Sequence, residues 1–458
     1  MTKSPTTREK PEAAAPEGLR PFVLRLHFYG GILVAPFLFL AALSGLMYTF
    51  SPQLDRALYQ HELSVGHSGG QRMPISAQIA SARAAHPEGR IFKVSPAPSA
   101  TGTTRVLLTV DGMAEGYSRT VFVDPYTGEV LGAETTYGEW LPARAWIDEL
   151  HRNLHLGEFG RNYSELAASW LWLIALSGLA LWTARHAAPF ALRAFLVPNR
   201  SARGRSRTLS WHGAVGVWAL LGLLALSASG LTWSQHAGQS ISDLRAVFGW
   251  SVPTVSKQLP GAQSARGTPV AEAEQIKKFD VVEAAARKLG MLDPIWIAPA
   301  TNTSQTWQVN ERKRDLPFRM GVASFDPATG AVLQYRDWAH WPFMAKAAEI
   351  AIGLHMGITL GITNQIALAC VAICLITLIV RGYVMWWQRR PQGSGSAFGP
   401  LPKSGALTRL SPSAATAAVA GLGLIGWFFP LLGASLVSFV LADALAHLLA
   451  QRKTSADV

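Results

Sequence analysis

The sequence predicts an α-helical transmembrane bundle of about six helices, built by internal duplication, with two soluble α+β segments inserted on one side. Three observations point there. Hydrophobic residues make up 49% of the 458 positions and charged residues only 15%, the balance of a membrane chain rather than a soluble one. The basic residues behind the net charge of +12 crowd into short acid-free segments beside apolar runs, which is the positive-inside pattern and not a nucleic-acid surface. Third, Leu150-His151-Arg152-Asn153-Leu154-His155-Leu156-Gly157 returns 204 residues later as Leu354-His355-Met356-Gly357-Ile358-Thr359-Leu360-Gly361, and the register persists downstream: Gly178 falls on Gly382, Trp182 on Trp386 and Arg185 on Arg389.

Residues 1–20 are polar and poor in large apolar side chains, so a disordered cytoplasmic tail is expected. The first apolar stretch, within 21–50, is longer than the core of a cleaved signal and reads as a retained span. Residues 51–150 are mixed, with a helix-like stretch from Ile75 to Ala85 and alternating segments at Arg105–Val110 and Thr120–Val123. Asp124-Pro125-Tyr126-Thr127-Gly128 then turns a hairpin, since proline presets the turn, aspartate bonds back to following amides and glycine takes a positive φ. Residues 151–185 carry the histidine motif and a second span, and 186–210 form a basic loop; six arginines and no acid lie between 185 and 207. A third span at 211–233 leads to a second α+β segment at 234–345, with a helix-like stretch from Phe279 to Leu289 and the turn Asp326-Pro327-Ala328-Thr329-Gly330. The motif and a fourth span occupy 346–390, a Pro, Gly and Ser linker 391–412, and a helical hairpin 413–450 turns at Trp427–Pro430, one long kinked helix being the alternative. Acid-free basic segments at 185–210 and 388–410 should be cytoplasmic. Both soluble segments then face the other side, the periplasm in a bacterium, and both termini the cytoplasm.

The first and third spans are also copies, at an offset of 185: His27 falls on His212, Gly31 on Gly216, and Ser44-Gly45-Leu46 on Ser229-Gly230-Leu231. Topology sorts the repeated histidines into two layers, His27 with His212 near the cytoplasmic face and His151 with His355 near the outer face. A lone histidine at a helix end is an ordinary interfacial residue. Two matched pairs at membrane depth suit a different task, axial ligation of haem iron, and predict two b-type haems. They would be non-covalent, because Cys370 and Cys374 sit four apart in an apolar run and no Cys-x-x-Cys-His occurs. His155, one turn beyond His151, remains open as the outer ligand in its place, although the register favours His151. His61, His67, His86, His186, His236, His340 and His447 have no repeat partner and default to surface or interfacial roles.

Leu26-His27-Phe28-Tyr29-Gly30-Gly31, the turn Phe122-Val123-Asp124-Pro125-Tyr126-Thr127-Gly128-Glu129-Val130, and Leu354-His355 with Gly357 and Gly361 ahead of a helix ending Trp386-Trp387-Gln388-Arg389-Arg390 together resemble the PepSY-associated transmembrane helix family. The resemblance covers about residues 20–450. It implies PepSY-like periplasmic domains, an inner-membrane location, and similarity to dihaem reductases of ferric siderophores, with His27, His212, His151 and His355 as ligands. Position 155 departs from the family, which usually has a large apolar residue there.

The leading expectation is a haem-dependent oxidoreductase that passes electrons across the membrane to a ferric siderophore or other ferric chelate. Catalytic residues beyond the haem ligands are unknown at this stage. No glycine-rich dinucleotide motif follows a strand, so the donor would be a quinol or a separate cytoplasmic reductase. The alternative is a non-redox, membrane-anchored PepSY protein that binds or regulates another protein. A transporter would need charges along a path through the spans, and the first four spans are almost free of them. Asp443 and His447 in the last segment read as an interfacial helix end.

Overall fold

The computed structural model describes residues 20–67, 69–186, 192–261, 267–390, 402, 404–405 and 411–456. Apart from Arg20, the expected N-terminal tail lies outside these residues, as does most of the 391–412 linker. In chain order the elements are α1 (Arg20–Leu33), α2 (Ala35–Thr49), α3 (Ser51–Leu58), α4 (Gln60–Leu63), α5 (Ile75–Ala85), β1 (Arg90–Ser95), β2 (Thr104–Thr109), β3 (Tyr117–Val123) and β4 (Val130–Tyr137). They continue with α6 (Pro142–Asn153), α7 (Gly157–Arg185), α8 (Leu192–Leu196), α9 (Gly204–Leu231), α10 (His236–Val247), α11 (Glu272–Lys288) and β5 (Ile295–Ala298). The remainder are β6 (Trp307–Glu311), β7 (Val322–Phe325), β8 (Val332–Arg336), α12 (Phe343–His355), α13 (Ile362–Trp387), α14 (Pro412–Phe428) and α15 (Pro430–Ala456).

Among the described residues, four helices are long and apolar enough to cross a membrane: α7, α9, α13 and the Pro430–Arg452 part of α15. The pair α1 and α2 passes the same test together, while α14 is a shorter apolar helix. The expected unbroken first span is therefore corrected to two helices bent by 57°. Pro36 is the cause. It has no N–H for the carbonyl of Ile32, and its ring crowds that carbonyl, which kinks the chain. The freed Ile32 oxygen accepts a 2.7 Å hydrogen bond from the Tyr383 hydroxyl of α13, so the break costs no buried unpaired acceptor.

The core spans close a ring: α1 packs on α7, α7 on α9, α9 on α13, and α13 on α2. Leu38, Ala167, Leu171, Ala219 and Leu223 are buried at its centre. The helix α9 begins at Gly204, inside the stretch expected to be a loop through residue 210. Its extra first turns are rich in arginine, a good helix former that needs no apolar neighbour. The C-terminal residues form a hairpin, Gly426 and Gly433 meeting closely beside the turn at Phe429. It packs on α7 through Leu432 and Leu436, and Trp170 Nε1 donates to Ser435 Oγ at 3.0 Å. Asp443 corrects the expectation of an interfacial helix end. It is 3% exposed and ion-paired with buried Arg25 of α1.

The two soluble segments share one antiparallel sheet of order β4-β3-β2-β1-β5-β6-β7-β8, joined where Val94 of β1 faces Ile297 of β5. Alternation sends Val94, Val106, Val121, Ile295, Val309 and Phe325 to one face, where α5 and α11 cover them with Ile79, Ala82, Phe279 and Val282 in a continuous core. Two separate domains were expected. Each four-stranded half ends in a strand with an open ladder edge, β1 or β5, and the two edges meet at Val94 and Ile297.

A further correction concerns the histidine motifs. His151 and His355 do not open the spans that follow them but end separate helices, α6 and α12. After α6 the chain reverses through Leu154 and His155, both in the left-handed region at φ 57° and 55°, with Asn153 Oδ1 accepting the His155 amide at 3.0 Å. The helix α6 also crosses the expected boundary between the soluble segment and the motif at residue 150.

Candidate functional site

The ring closed by the spans brings the four register-matched histidines together as two pairs. His27 of α1 faces His212 of α9 with ring centres 6.2 Å apart and planes at 85°. His151 of α6 faces His355 of α12 at 6.3 Å and 66°. His212 and Ser229, the residue that holds His355, lie 17 positions apart on α9, about 25 Å of axis at 1.5 Å per residue. The pairs thus occupy opposite ends of the bundle, one near the arginine-rich end and one beneath the sheet.

Hydrogen bonding fixes the tautomer of each ring. His27 Nδ1 lies 3.0 Å from the Ile174 carbonyl and His212 Nδ1 3.1 Å from the Leu378 carbonyl. A carbonyl only accepts, so both nitrogens carry the proton. His151 Nδ1 lies 3.0 Å from Ser44 Oγ and His355 Nδ1 2.8 Å from Ser229 Oγ. Each serine already gives its proton to the carbonyl four residues back, Leu40 and Ala225, at 2.7 and 2.6 Å. The serines must therefore accept, and all four rings keep Nε2 as the free electron pair. Ile174 and Leu378 are related by the 204 offset, Ser44 and Ser229 by the 185 offset.

Glycines make room for the rings. A Cβ at Gly178 would lie 2.8 Å from His27 Cε1, at Gly45 3.2 Å from His151 Cε1 and at Gly230 3.4 Å from His355 Cε1. One turn after His27 and His212, a Cβ at Gly31 would have nothing within 4 Å and one at Gly216 only Leu378 at 3.6 Å, so both leave open wall. A cavity of about 440 Å³ holds His27, His212, Gly31 and Gly216 in its lining, and one of about 220 Å³ holds His151, His355, Gly45 and Gly230.

These residues fit haem. Two metal–imidazole bonds of about 2 Å, each extended by about 1.2 Å from nitrogen to ring centre, place bis-histidine ring centres about 6.4 Å apart. Both pairs sit close to that separation. Among the described residues no group of three or more His, Cys, Asp or Glu side chains converges on one point. Two protein ligands per site leave a bare ion under-coordinated, whereas a porphyrin supplies four nitrogens itself. Donation from Nδ1–H to a carbonyl or hydroxyl is the outer-shell bond that orients a ligating imidazole and raises its basicity.

His155 lies outside this arrangement. Its ring packs 4.8 Å from Trp146, and Nδ1 sits 3.4 Å from Glu149. Around the sheet-side pair the charges are mixed. Asp148 lines that cavity, and burial pushes its carboxyl up to about 6 against the pull of Arg152 and Arg144. Glu165 also lines it and accepts the amides of His236 and Ala237, both at 2.9 Å, as the N-terminal anion of α10. On α3, burial pushes Asp55 to about 6 as well, opposed by Arg144 and Arg105. The Ser-Gly-Leu repeats were visible in sequence, but that their serines hold the outer histidines was not.

Residues 24–389 match the family described as PepSY-associated TM region. No curated protein matches the chain. The match spans most of the sequence, and the chain belongs to this family and is a membrane protein.

Proposed function

We propose that this PepSY-associated TM-region protein is a b-type dihaem oxidoreductase of the bacterial inner membrane, passing electrons to a periplasmic ferric complex, a ferric siderophore, and so releasing iron. The carrying observation is the pair of bis-imidazole sites, each ring locked as Nδ1–H with its Nε2 pair free, at the separation one iron atom requires. His27 and His212 would hold one haem and His151 and His355 the other; bound haem supplies one-electron chemistry at each end of the bundle.

The rest is done by the chain. Ile174, Leu378, Ser44 and Ser229 orient the ligands, and apolar residues such as Leu38, Leu171 and Leu375, which line both cavities or the wall between them, keep water and counter-ions out. The acid-free basic segments that follow α7 and α13, at 185–210 and 388–410, support a cytoplasmic position for the inner pair. On this reading α1–α2, α7, α9, α13, α14 and α15 make six crossings, with the fused sheet in the periplasm and both termini in the cytoplasm. Siderophores bind ferric iron through hard oxygen donors that hold the ferrous ion far less well, so reduction unloads them. The electron donor is a quinol or a separate cytoplasmic reductase.

Anaerobic reoxidation tests this reading. Dithionite-reduced protein in liposomes should be reoxidised by added ferric siderophore, with ferrous iron trapped by ferrozine, and His27→Ala and His355→Ala should deplete different spectral components. Reduced protein that stays reduced, with no ferrous iron formed, would reject the ferric substrate; protein with no dithionite-reducible absorption would leave the non-redox binding role instead.

A further inference from the structure

The inner cavity has a feature that ligation of iron does not use. Arg20, Arg185, Arg205 and Arg389 line it together with His27 and His212, and no aspartate or glutamate does. Among the described residues none of the four has a carboxylate within ion-pair distance, whereas Arg25 nearby is paired with Asp443. Arg20, Arg185 and Arg205 are exposed and Arg389 is half-buried, so solvent moderates the repulsion among these like charges, and an anion bound between them would relieve it further.

Their positions are not arbitrary. Arg20 stands seven residues before His27, and Arg205 seven before His212; Arg185 stands seven after Gly178, and Arg389 seven after Gly382. Seven residues are two helical turns, about 10 Å of axis. Each half of the chain therefore contributes one arginine about 10 Å along the helix from its ligand and one about 10 Å from the glycine in register with the other. The four arginines thus fall into two register-equivalent sets, Arg20 with Arg185 and Arg205 with Arg389. The sheet-side cavity lacks this pattern: its Arg152 lies 3.5 Å from Asp148, Glu165 lines the same wall, and the register counterparts of Arg152 and Arg161 are Met356 and Gln365.

We propose that these four arginines bind the two propionate carboxylates of the haem held by His27 and His212, one carboxylate to each duplicated pair, and so fix that haem with its carboxylate edge toward the arginine-rich end. This rests on the dihaem reading above. Guanidinium forks match carboxylates in planar, two-point contacts, which lysine cannot reproduce. Positive-inside residues that meet only lipid headgroups need only face outward; all four here line the cavity of the histidine pair.

The test uses full-length protein from haem-depleted cells, purified in detergent and titrated with haem b or with its dimethyl ester, which lacks the carboxylates. The inner site is read in a His355→Ala background. Haem b should bind the inner site about tenfold or more tighter than the ester, and the preference should shrink in Arg185→Gln/Arg389→Gln. Arg185→Lys/Arg389→Lys keeps the topology-setting charges, so a variant that fails to insert can be told from one that fails to bind. Equal binding of haem b and ester by the unmodified arginine set would overturn the proposal and leave the dihaem reading intact. Failure of both compounds to bind at all would sink the dihaem reading itself. If the glutamine pair changes only retention on phosphatidylglycerol vesicles and not the preference for haem b, the arginines serve lipid phosphate and the proposal is wrong.

Discussion

Gly178→Ala should damage the inner site while Gly382→Ala leaves it whole, although the two positions are equivalent in the repeat register. A methyl group at 178 would stand 2.8 Å from His27 Cε1 and 3.3 Å from Nδ1. Carbon atoms in contact prefer about 3.5 Å or more, so the ring must retreat by about 0.7 Å or the helices must part. The ring has little freedom to retreat. Its Nδ1 is tied at 3.0 Å to Ile174 O, one turn earlier on the same helix, and a metal–nitrogen distance tolerates about 0.2 Å. At 382 the same methyl lies 4.0 Å from His212 Cε1, an ordinary contact. Overpacking of this kind costs about 1–3 kcal/mol, or roughly five- to 150-fold in occupancy of the site. The assay is the low-spin absorption of the inner component per mole of purified protein, in a His355→Ala background. Loss of that component in Gly382→Ala as large as in Gly178→Ala, or full retention in Gly178→Ala, would refute the geometry argued here.

His151→Ala should remove the low-spin signal of the sheet-side pair and His155→Ala preserve it, since the His155 ring packs on Trp146 and Glu149; equal losses would mean that both rings serve the site. Tyr383→Phe strips the Ile32 carbonyl, freed by Pro36, of its only described partner outside water and should destabilise the protein by about 1–3 kcal/mol, read as a lower apparent Tm in detergent with both sites still occupied. Asp55 has its carboxyl raised from 3.8 to about 6 by burial, so the folded state holds a proton that the unfolded chain releases. Its contribution to stability is present below pH 3.8 and is lost as pH rises through about 6. Asp55→Asn should therefore raise the apparent Tm at pH 7.5, leave it unchanged near pH 3.5, and flatten the slope between; a variant with the wild-type slope would show that Asp55 is not the group responsible.

How much of this was legible in the sequence depended on whether the signal was local or repeated. The histidine pairs could be read because the sequence shows each histidine twice in the same register, and the turns at Asp124–Gly128 and Asp326–Gly330 because turn chemistry is local. The bend at Val34 escaped because Pro36 falls in the second position of α2, where proline is tolerated and the apolar run continues through it. The separate helix α6 escaped for a related reason: a reversal through left-handed Leu154 and His155 uses residues with no turn preference, whereas the end of α12 did carry a signal in Gly357 and Gly361, both at positive φ. Nothing in β1 or β5 announces that they pair with each other across about two hundred residues, because an exposed ladder edge looks the same whether it meets solvent or another strand. The hidden ion pair had a partial signal in Asp443, but its partner Arg25 lies at the far end of the chain.

The central claim is that each imidazole pair holds one haem. The measurement that meets it most directly is a pyridine haemochrome assay with oxidised and reduced absorption spectra of the purified, detergent-solubilised protein from haem-sufficient cells. The account predicts about two b-type haems per chain with low-spin bis-histidine spectra, one lost with His27 or His212 and the other with His151 or His355. Protein that folds and carries no haem, or one whose haem content is untouched by all four substitutions, would contradict it.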